Sequence, residues 1–486
     1  MSGLPDTACP PSVLICGAGS GCGKTTLSLA LMAAYTRRGL SVRPFKTGPD
    51  FIDPGWHGAV CGRPSLNLDP WMQSWKEYPG NAARQYLSHG QLGKTDRAAF
   101  SDSFQVNVIE GAMGLYDGLP GKFSSAADVA LELQIPLLLV IDVRGMSASA
   151  AAVARGLAGL RPGLRTAGAI CVKAGSKRHQ HLLHEAFAEF CPDIPLLGVI
   201  PFMEEISLPS RHLGLVQAAD FQEEEKLAAR FSRLADMAEE HINLDALLNR
   251  LIDLAPDRPP QVQDFLPPPA GEKPRVRIAL ARDEAFSFWY PEYSLLLEEA
   301  GAQLVPFSPL RDAGLPPEIQ GLILPGGYPE LHARRLAENI SMREAIRAFA
   351  RNHPVHGECG GFLYLMEELE KEGQHFPMCG CLPLRARMET RRSALGYREV
   401  HGLNGPWRGL TLRGHEFHYS RIIEKADALP PLWEMRAPAS PDAGPEYEGA
   451  VLDSVSGSYV HLSPLSHPDA AGRLVADCLT RNKDHS

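Results

Sequence analysis

Two stretches of this 486-residue chain hold residue types at spacings that do chemistry. The first is Gly17-Ala18-Gly19-Ser20-Gly21-Cys22-Gly23-Lys24-Thr25-Thr26. It follows the apolar run Val13-Leu14-Ile15-Cys16 and precedes the helical pattern Leu27-Ser28-Leu29-Ala30-Leu31-Met32. Strand, glycine loop, Gly-Lys-Thr, helix is the layout of a phosphate-binding loop. Gly21 and Gly23 let backbone N–H groups turn inward around phosphate oxygens, and the helix N-terminus adds partial positive charge. Lys24 is expected to reach the β/γ-phosphates, and the Thr25 hydroxyl, next to Thr26, to bind Mg²⁺. The strict eight-residue pattern begins with Gly; this chain has Ala18 there. A chain of this kind consumes a nucleoside triphosphate.

The second stretch is Gly357-Glu358-Cys359-Gly360-Gly361. Gly-x-Cys-x-Gly is the spacing of a nucleophile elbow with Cys in place of Ser. A strained strand-to-helix turn would lift the thiol to a helix N-terminus, where its pKa is expected to fall. The N–H after Cys359 is a natural oxyanion donor. The loop Leu324-Pro325-Gly326-Gly327-Tyr328-Pro329-Glu330, after the apolar strand 321–324, is a second source of donors. A cysteine nucleophile needs a base. His415, His418 and His461 are the downstream candidates, and the residues alone do not choose between them.

The elements that must position the first site alternate in type. Apolar strand patterns fall at 12–16, 41–46, 104–110, 136–142, 166–172 and 195–200, and helical patterns at 24–37, 146–160, 177–190 and 223–239. Such alternation predicts a parallel α/β sheet, with ligands beyond the carboxyl ends of its strands. Polar clusters stand at three of those ends. Asp50 and Asp53, in Lys46-Thr47-Gly48-Pro49-Asp50-Phe51-Ile52-Asp53-Pro54-Gly55, read either as a Mg²⁺ site or as a capped turn. Glu110 closes an apolar strand and is expected to serve Mg²⁺; the following Gly111–Gly118 loop, with Asp117, suggests closure over a substrate. Asp142 reads as a cap of the next helix.

Composition bounds the rest. A length of 486 residues suggests two to four domains, and the formal net charge of −9 lends no support to a nucleic-acid partner. No 18-residue apolar run suggests a membrane span, and Met1 to Pro11 lacks the marks of a signal peptide, so a cytoplasmic protein is expected. The ten cysteines are scattered and read mostly as reduced core thiols. Seven prolines between Leu254 and Pro274 mark a semi-rigid linker, giving domains at 1–253 and 275–486. The sequence leaves room for a homodimer.

Taken together the motifs resemble one family, the cobyrinic (or hydrogenobyrinic) acid a,c-diamide synthases. The matching stretches run in order through the chain: Ser20–Thr26, Phe45–Pro54, Gly62-Arg-Pro-Ser-Leu-Asn-Leu-Asp69, Glu110–Gly118, Leu208-Pro-Ser-Arg-His-Leu-Gly-Leu215, Ala281-Arg-Asp-Glu-Ala-Phe-Ser-Phe288, Gly326–Glu330, Glu358–Gly361 and Gly414-His-Glu-Phe-His-Tyr419. The resemblance implies a dethiobiotin-synthetase-like ATP domain with a parallel sheet, joined to a class I glutamine amidotransferase-like α/β domain. Such enzymes hydrolyse glutamine at the cysteine. The ammonia displaces phosphate from a carboxylate that ATP has phosphorylated, and the family amidates acetate side chains a and c of a corrin ring. By motif position Lys24 and Thr25 become phosphate and Mg²⁺ residues, Asp50 and Glu110 Mg²⁺ partners, Cys359 the nucleophile and His461 its base. His418 becomes structural or substrate-facing.

The chain departs from the pattern in places. Ser463 stands where related amidotransferases carry Glu two residues after the base, leaving open what orients His461. Val172 precedes Lys173-Ala174-Gly175-Ser176 where an adenine-contacting Asn is common, which leaves nucleotide preference open. Lys46, Arg178, His179, Arg211 and His212 could pair with the carboxylates of a tetrapyrrole. Amidation of sirohaem or another sirohydrochlorin-type ring is the alternative substrate. A non-enzymatic partition-type ATPase would carry Lys at Gly19 and leaves the cysteine elbow unexplained, and cobyric acid synthase lacks the Gly-Pro-Asp-Phe-Ile-Asp segment.

Overall fold

The computed structural model describes residues 10–78, 106–203, 210–211, 214–215, 224–256, 276–425 and 429–480. The chain divides into two compact units, one of Met1–Pro70 and Ala82–Gln263, the other of Trp71–Asn81 and Asp264–Ser486. Most of the 254–274 linker lies outside the described residues, as do the side chains of Arg211 and His212.

The first unit is a seven-stranded parallel sheet of β1 (Ser12–Gly17), β2 (Val42–Thr47), β3 (Leu66–Leu68), β4 (Val106–Glu110), β5 (Leu137–Asp142), β6 (Thr166–Ala174) and β7 (Leu196–Pro201). Its order is β3-β2-β4-β1-β5-β6-β7. The strands are mostly apolar and buried because helices cover the sheet. Val13, Ile15, Val106, Val108, Leu138 and Val140 share one core with α1 (Lys24–Arg37) and with helix Glu224–His241. The chain leaves β1 toward β2 on one side and later returns to β5 on the other. The end of β1 is therefore a switch point, where α/β sheets open a crevice. Register sets Lys46 and Ile15 on either side of Glu110.

Three helices escaped the sequence patterns, α2 (Ile52–Cys61), helix Ala126–Glu132 and helix Leu244–Asp253, and so did the short strand β3. The segment around Asp50 is thus a helix start as well as a turn. Asp50 Oδ1 accepts from the backbone N–H of Ile52 at 2.8 Å and of Asp53 at 3.2 Å. Asp142 does not cap the following helix, Ser149–Gly159, whose N-cap is Ala148 with no side-chain bond. Its carboxylate is taken instead by Arg144 and by Lys173 Nζ at 2.8 Å.

The second unit holds a six-stranded sheet in the order 302–307, 276–281, 321–324, 355–358, 455–458, 450–452, parallel except for its last strand. An antiparallel sheet of 446–448, 433–436, 394–402, 411–418 and 461–463 and a four-stranded sheet complete it. The segment Trp71–Tyr78 packs in this unit. Arg413 stacks its guanidinium 4.8 Å from the Trp71 ring centre, donates to Trp71 O and Ser74 Oγ, and pairs with Glu77. No described helix is long and apolar enough to cross a membrane, and every described cysteine is a free thiol.

Candidate functional site

In the first unit the loop between β1 and α1 has Gly21 and Gly23 at φ 76° and 100°, the left-handed region that favours glycine. Gly23 is the N-cap of α1 and supplies no side-chain bond, so the first-turn N–H groups are left to an anion. Lys24 is buried and folds back to donate to Gly19 O at 2.8 Å. Gly111 and Leu115 donate to Ile15 O and Gly17 O, each at 2.9 Å, pressing the Gly111–Gly118 loop onto the glycine loop. A Cβ at Gly114 would lie 2.8 Å from Ala18 O, so that approach requires glycine. The expected substrate-closing role of Asp117 meets a local engagement: its Oδ2 accepts from Gly114 N at 2.8 Å.

Beneath the glycine loop lies a buried ionic cluster. Thr25 Oγ1 donates to Glu110 Oε1 at 2.7 Å. Lys46 Nζ stands 2.9 Å from the same oxygen, 2.5 Å from Asp53 Oδ2 and 3.6 Å from Asp50 Oδ2. His57 Nε2 meets Glu110 Oε2 at 2.8 Å, and its Nδ1 meets Ser65 Oγ at 3.1 Å. Burial alone would raise the Glu110 pKa; Lys46, His57 and Thr25 outweigh it and hold this carboxyl below its usual range. Burial and the adjacent Asp50 and Glu110 push Asp53 up.

Thr25, Asp50 and Glu110 are hard oxygen donors at a phosphate loop. They suit a cation that takes one or two carboxylates and completes its shell from phosphates and water. Among the described residues no three His, Cys, Asp or Glu side chains already converge as a metal cage. The reason is visible: the Lys46 ammonium stands at the centre of the carboxylates. This set therefore fits Mg²⁺ arriving with phosphates, not a metal held by protein alone. Lys46 is engaged internally, and so is His179, through Gly175 N and Met146 O; Arg178 is exposed.

Beside α1 opens a cavity of ≈ 110 Å³ lined by Gly23, Thr26, Val172, Lys173, Phe202 and Met203, among others. Lys173 sits at φ 60° in a bulge of β6 and donates to Gly21 O at 3.0 Å, tying the glycine loop to that strand.

In the second unit strand 355–358 runs into the short helix Gly360–Leu365, with Cys359 between them at φ 46°. A non-glycine residue held there stores about 1–3 kcal/mol of strain. The turn closes because its neighbours are glycines: a Cβ at Gly361 would overlap Leu324 O, and one at Gly360 would lie 3.0 Å from Gly327 N. The Gly327 N–H is thus next to the residue that follows the nucleophile, a geometry suited to oxyanion donors. Cys359 N donates to Ser458 O at 2.7 Å.

The expected fall in the thiol pKa is corrected by the structure. Burial, then the Glu330 carboxyl, push Cys359 up, with Glu416 and Glu358 adding to this. A helix of six residues does not offset those effects. Proton removal accordingly depends on a neutral acceptor. Burial holds the His461 imidazole well below its ordinary pKa, with His415 and His418 acting the same way, so it is neutral. Register pairs His461 with His415 across strands 461–463 and 411–418, and their rings stack at 5.0 Å and 17°. A Cβ at Gly326 would overlap His461 Cε1, so the 324–330 loop and the imidazole are in direct contact. Ring stacking and this glycine contact orient His461; Ser463, the residue at the usual Glu position, accepts from Ser466 Oγ through its carbonyl. His418 is tethered elsewhere: Nδ1 donates to Ser420 O at 2.8 Å, and its ring stacks on Tyr459 at 3.8 Å.

Sequence reasoning missed Lys46 as the hub of the acidic cluster, and missed His57 and Ser65 altogether. A helical reading of 52–61 would have exposed the signal, since Asp53 and His57 are four residues apart and share a face.

Comparison with known proteins agrees with this pairing of sites. Residues 13–216 match the CobQ/CobB/MinD/ParA nucleotide binding domain, and residues 277–468 the CobB/CobQ-like glutamine amidotransferase domain. Cobyrinate a,c-diamide synthase of Syntrophotalea carbinolica is 40% identical over 480 residues, covering 96% of this chain and 98% of that one. Hydrogenobyrinate a,c-diamide synthase of Rhodobacter capsulatus is 42% identical over 462 residues, covering 93% and 98%. Cobyrinate a,c-diamide synthase of Synechocystis is 36% identical over 481 residues, covering 97% and 94%. With both domains matched in order and relatives of this identity aligned nearly end to end, the chain belongs to the cobyrinate/hydrogenobyrinate a,c-diamide synthase family.

Proposed function

We propose that this chain converts the a and c acetate carboxylates of a corrin-type tetrapyrrole into amides, consuming ATP and glutamine, as a step of cobalamin biosynthesis. The observation that carries the reading is the presence, on one chain, of a phosphate loop touching Glu110 through Thr25 and a strained Cys359 beside Gly327 N–H. A carboxylate is a poor electrophile, and phosphorylation supplies its leaving group. The substrate carboxylate oxygen attacks the γ-phosphorus of ATP; the bond to the β-bridging oxygen breaks, giving an acyl phosphate and ADP. Lys24 and the α1 N–H groups hold the phosphates. Thr25, Asp50 and Glu110 would hold Mg²⁺, which when bound neutralises the phosphate charge that opposes this attack.

At the other site His461 accepts the Cys359 thiol proton as sulfur attacks the glutamine amide carbon, with the Gly327 and Gly360 N–H groups receiving the developing oxyanion. Ammonia leaves with that proton, and water hydrolyses the thioester to glutamate. Ammonia then attacks the acyl phosphate, expels inorganic phosphate and leaves the amide. The cavity beside Thr26 and Phe202 would take the nucleobase. ATP and glutamine are cytoplasmic metabolites, and the reaction is assigned to that compartment.

Substrate labelled with ¹⁸O in its carboxylates tests the chemistry. One labelled oxygen should appear in inorganic phosphate for each amide formed. Unlabelled phosphate alongside normal amidation would exclude the acyl phosphate.

A further inference from the structure

His57 is fully buried on α2, with the acid expected to serve the metal on one side and a serine on the other. Glu110 offers two oxygens. Oε1 faces the glycine loop, taking Thr25 Oγ1 at 2.7 Å and Lys46 Nζ at 2.9 Å. Oε2 faces away and meets His57 Nε2 at 2.8 Å. Ser65, on the segment leading into β3, reaches His57 Nδ1 at 3.1 Å. A carboxylate only accepts, so Glu110 Oε2 requires the proton on His57 Nε2, and in that tautomer Nδ1 accepts from the Ser65 hydroxyl. Three elements, α2, the β3 approach and β4, are thereby cross-linked at one carboxylate.

We infer that His57, its ring held in place by Ser65, is the positioning residue that holds the Glu110 carboxylate with Oε1 turned toward the phosphate loop. The inference rests on Glu110 serving Mg²⁺, as proposed above. A carboxylate on a two-carbon stem rotates about its terminal bond at little cost. Lys46 and Thr25 hold one oxygen and leave the carboxylate plane free to turn about that contact. A donor fixed on the other oxygen sets the plane. Groups that orient a metal-binding residue in this manner are worth roughly 10–100-fold in metal affinity. The bond is directional, so a replacement that keeps an N–H at the place of Nε2 should restore it.

The test uses the full chain, Mn²⁺ as a paramagnetic probe, and ADP. Mn²⁺ affinity is read by electron paramagnetic resonance in the presence of ADP, and ADP affinity by calorimetry without metal. Glu110→Gln and His57→Ala should each weaken Mn²⁺ binding about 10–100-fold. His57→Gln should recover most of the loss, Ser65→Ala should fall between, and metal-free ADP binding should stay at the wild-type level in the His57 and Ser65 variants. If Glu110→Gln loses Mn²⁺ and His57→Ala does not, the positioning role is wrong and the metal reading stands. If Glu110→Gln binds Mn²⁺ normally, the metal reading fails and takes this inference with it. Equal loss of Mn²⁺ and metal-free ADP in the His57 variants would make the histidine a fold element only. Should His57→Ala not fold, wild-type Mn²⁺ affinity in Ser65→Ala together with a loss in His57→Gln as large as that in Glu110→Gln overturns the assignment.

Discussion

Replacing Lys46 by methionine removes the ammonium that stands among Asp50, Asp53 and Glu110 and keeps a side chain of similar length. Its nitrogen lies 2.5 Å from Asp53 and 2.9 Å from Glu110. At an effective dielectric of about 20, each contact is worth roughly 5–7 kcal/mol of Coulomb attraction. Desolvating the ammonium and the acids cancels much of that, so the pairs add little net stability while intact. The variant is different: Asp53 and Glu110 stay buried with their main counter-ion gone. Stripping one partner from a buried ion pair costs about 3–5 kcal/mol, and that is the expected loss for the first unit. Hydrogen exchange resolved to β2 and β4 in the full chain is the assay, because a single melting curve of a two-unit protein mixes transitions. Removing one of the stranded charges should help, so Lys46→Met/Asp53→Asn should exchange more slowly than Lys46→Met alone, recovering about 1–3 kcal/mol. Mg²⁺ should protect the single variant more than the wild type. A loss below about 1 kcal/mol with no effect of the second substitution would refute the view that Lys46 is the cluster's counter-ion.

Cys359→Ser should lose glutamine-dependent amidation and retain it with ammonium salts, and His461→Ala should match it while His418→Ala does not; the reverse pattern for the histidines would move the base to His418. Gly326→Ala forces a methyl into the His461 ring, so glutamine hydrolysis should drop at least tenfold while ammonium-supported amidation persists, as steady-state kinetics with each nitrogen donor would report. Glu448, whose oxygens accept from Ser458 Oγ and Tyr459 N, is pushed up to about 7 by burial, then by Glu416. The folded state therefore keeps a proton that the unfolded chain releases near pH 4, and stability falls as pH rises from about 4 to 7. Glu448→Gln should flatten that part of the pH dependence of second-unit stability, read by hydrogen exchange resolved to strand 455–458; an unchanged slope would show that Glu448 ionises freely in the fold.

What was legible in the sequence was local. The phosphate loop and the cysteine turn each depend on a few consecutive residues whose backbone needs are written in glycines, and both stand where expected. The helix α2 was hidden because Pro54 and Gly55 read as a turn. Yet Pro54 falls in the first helical turn, where the lost N–H has no intrahelical partner to miss. With α2 unseen, His57 had no reason to meet Glu110, 53 positions away. The Trp71–Tyr78 segment was equally opaque: its two tryptophans and methionine are apolar, and nothing in them says which unit buries them. The thiol environment was misjudged because the carboxyls of Glu330 and Glu416 come from other elements, and only the fold brings them near Cys359.

The central claim is that ATP turnover at one unit and glutamine hydrolysis at the other end in amides on a corrin ring. Mass spectrometry of products tests it most directly, with amide-¹⁵N glutamine, ATP and Mg²⁺ offered alongside cobyrinate, hydrogenobyrinate or sirohydrochlorin. A corrin product carrying two ¹⁵N amides is expected, dependent on ATP, absent with Lys24→Ala, and formed by Cys359→Ser only when ¹⁵N-ammonium replaces glutamine. Amidation of sirohydrochlorin but of neither corrin, or incorporation of ¹⁵N without ATP, would contradict it.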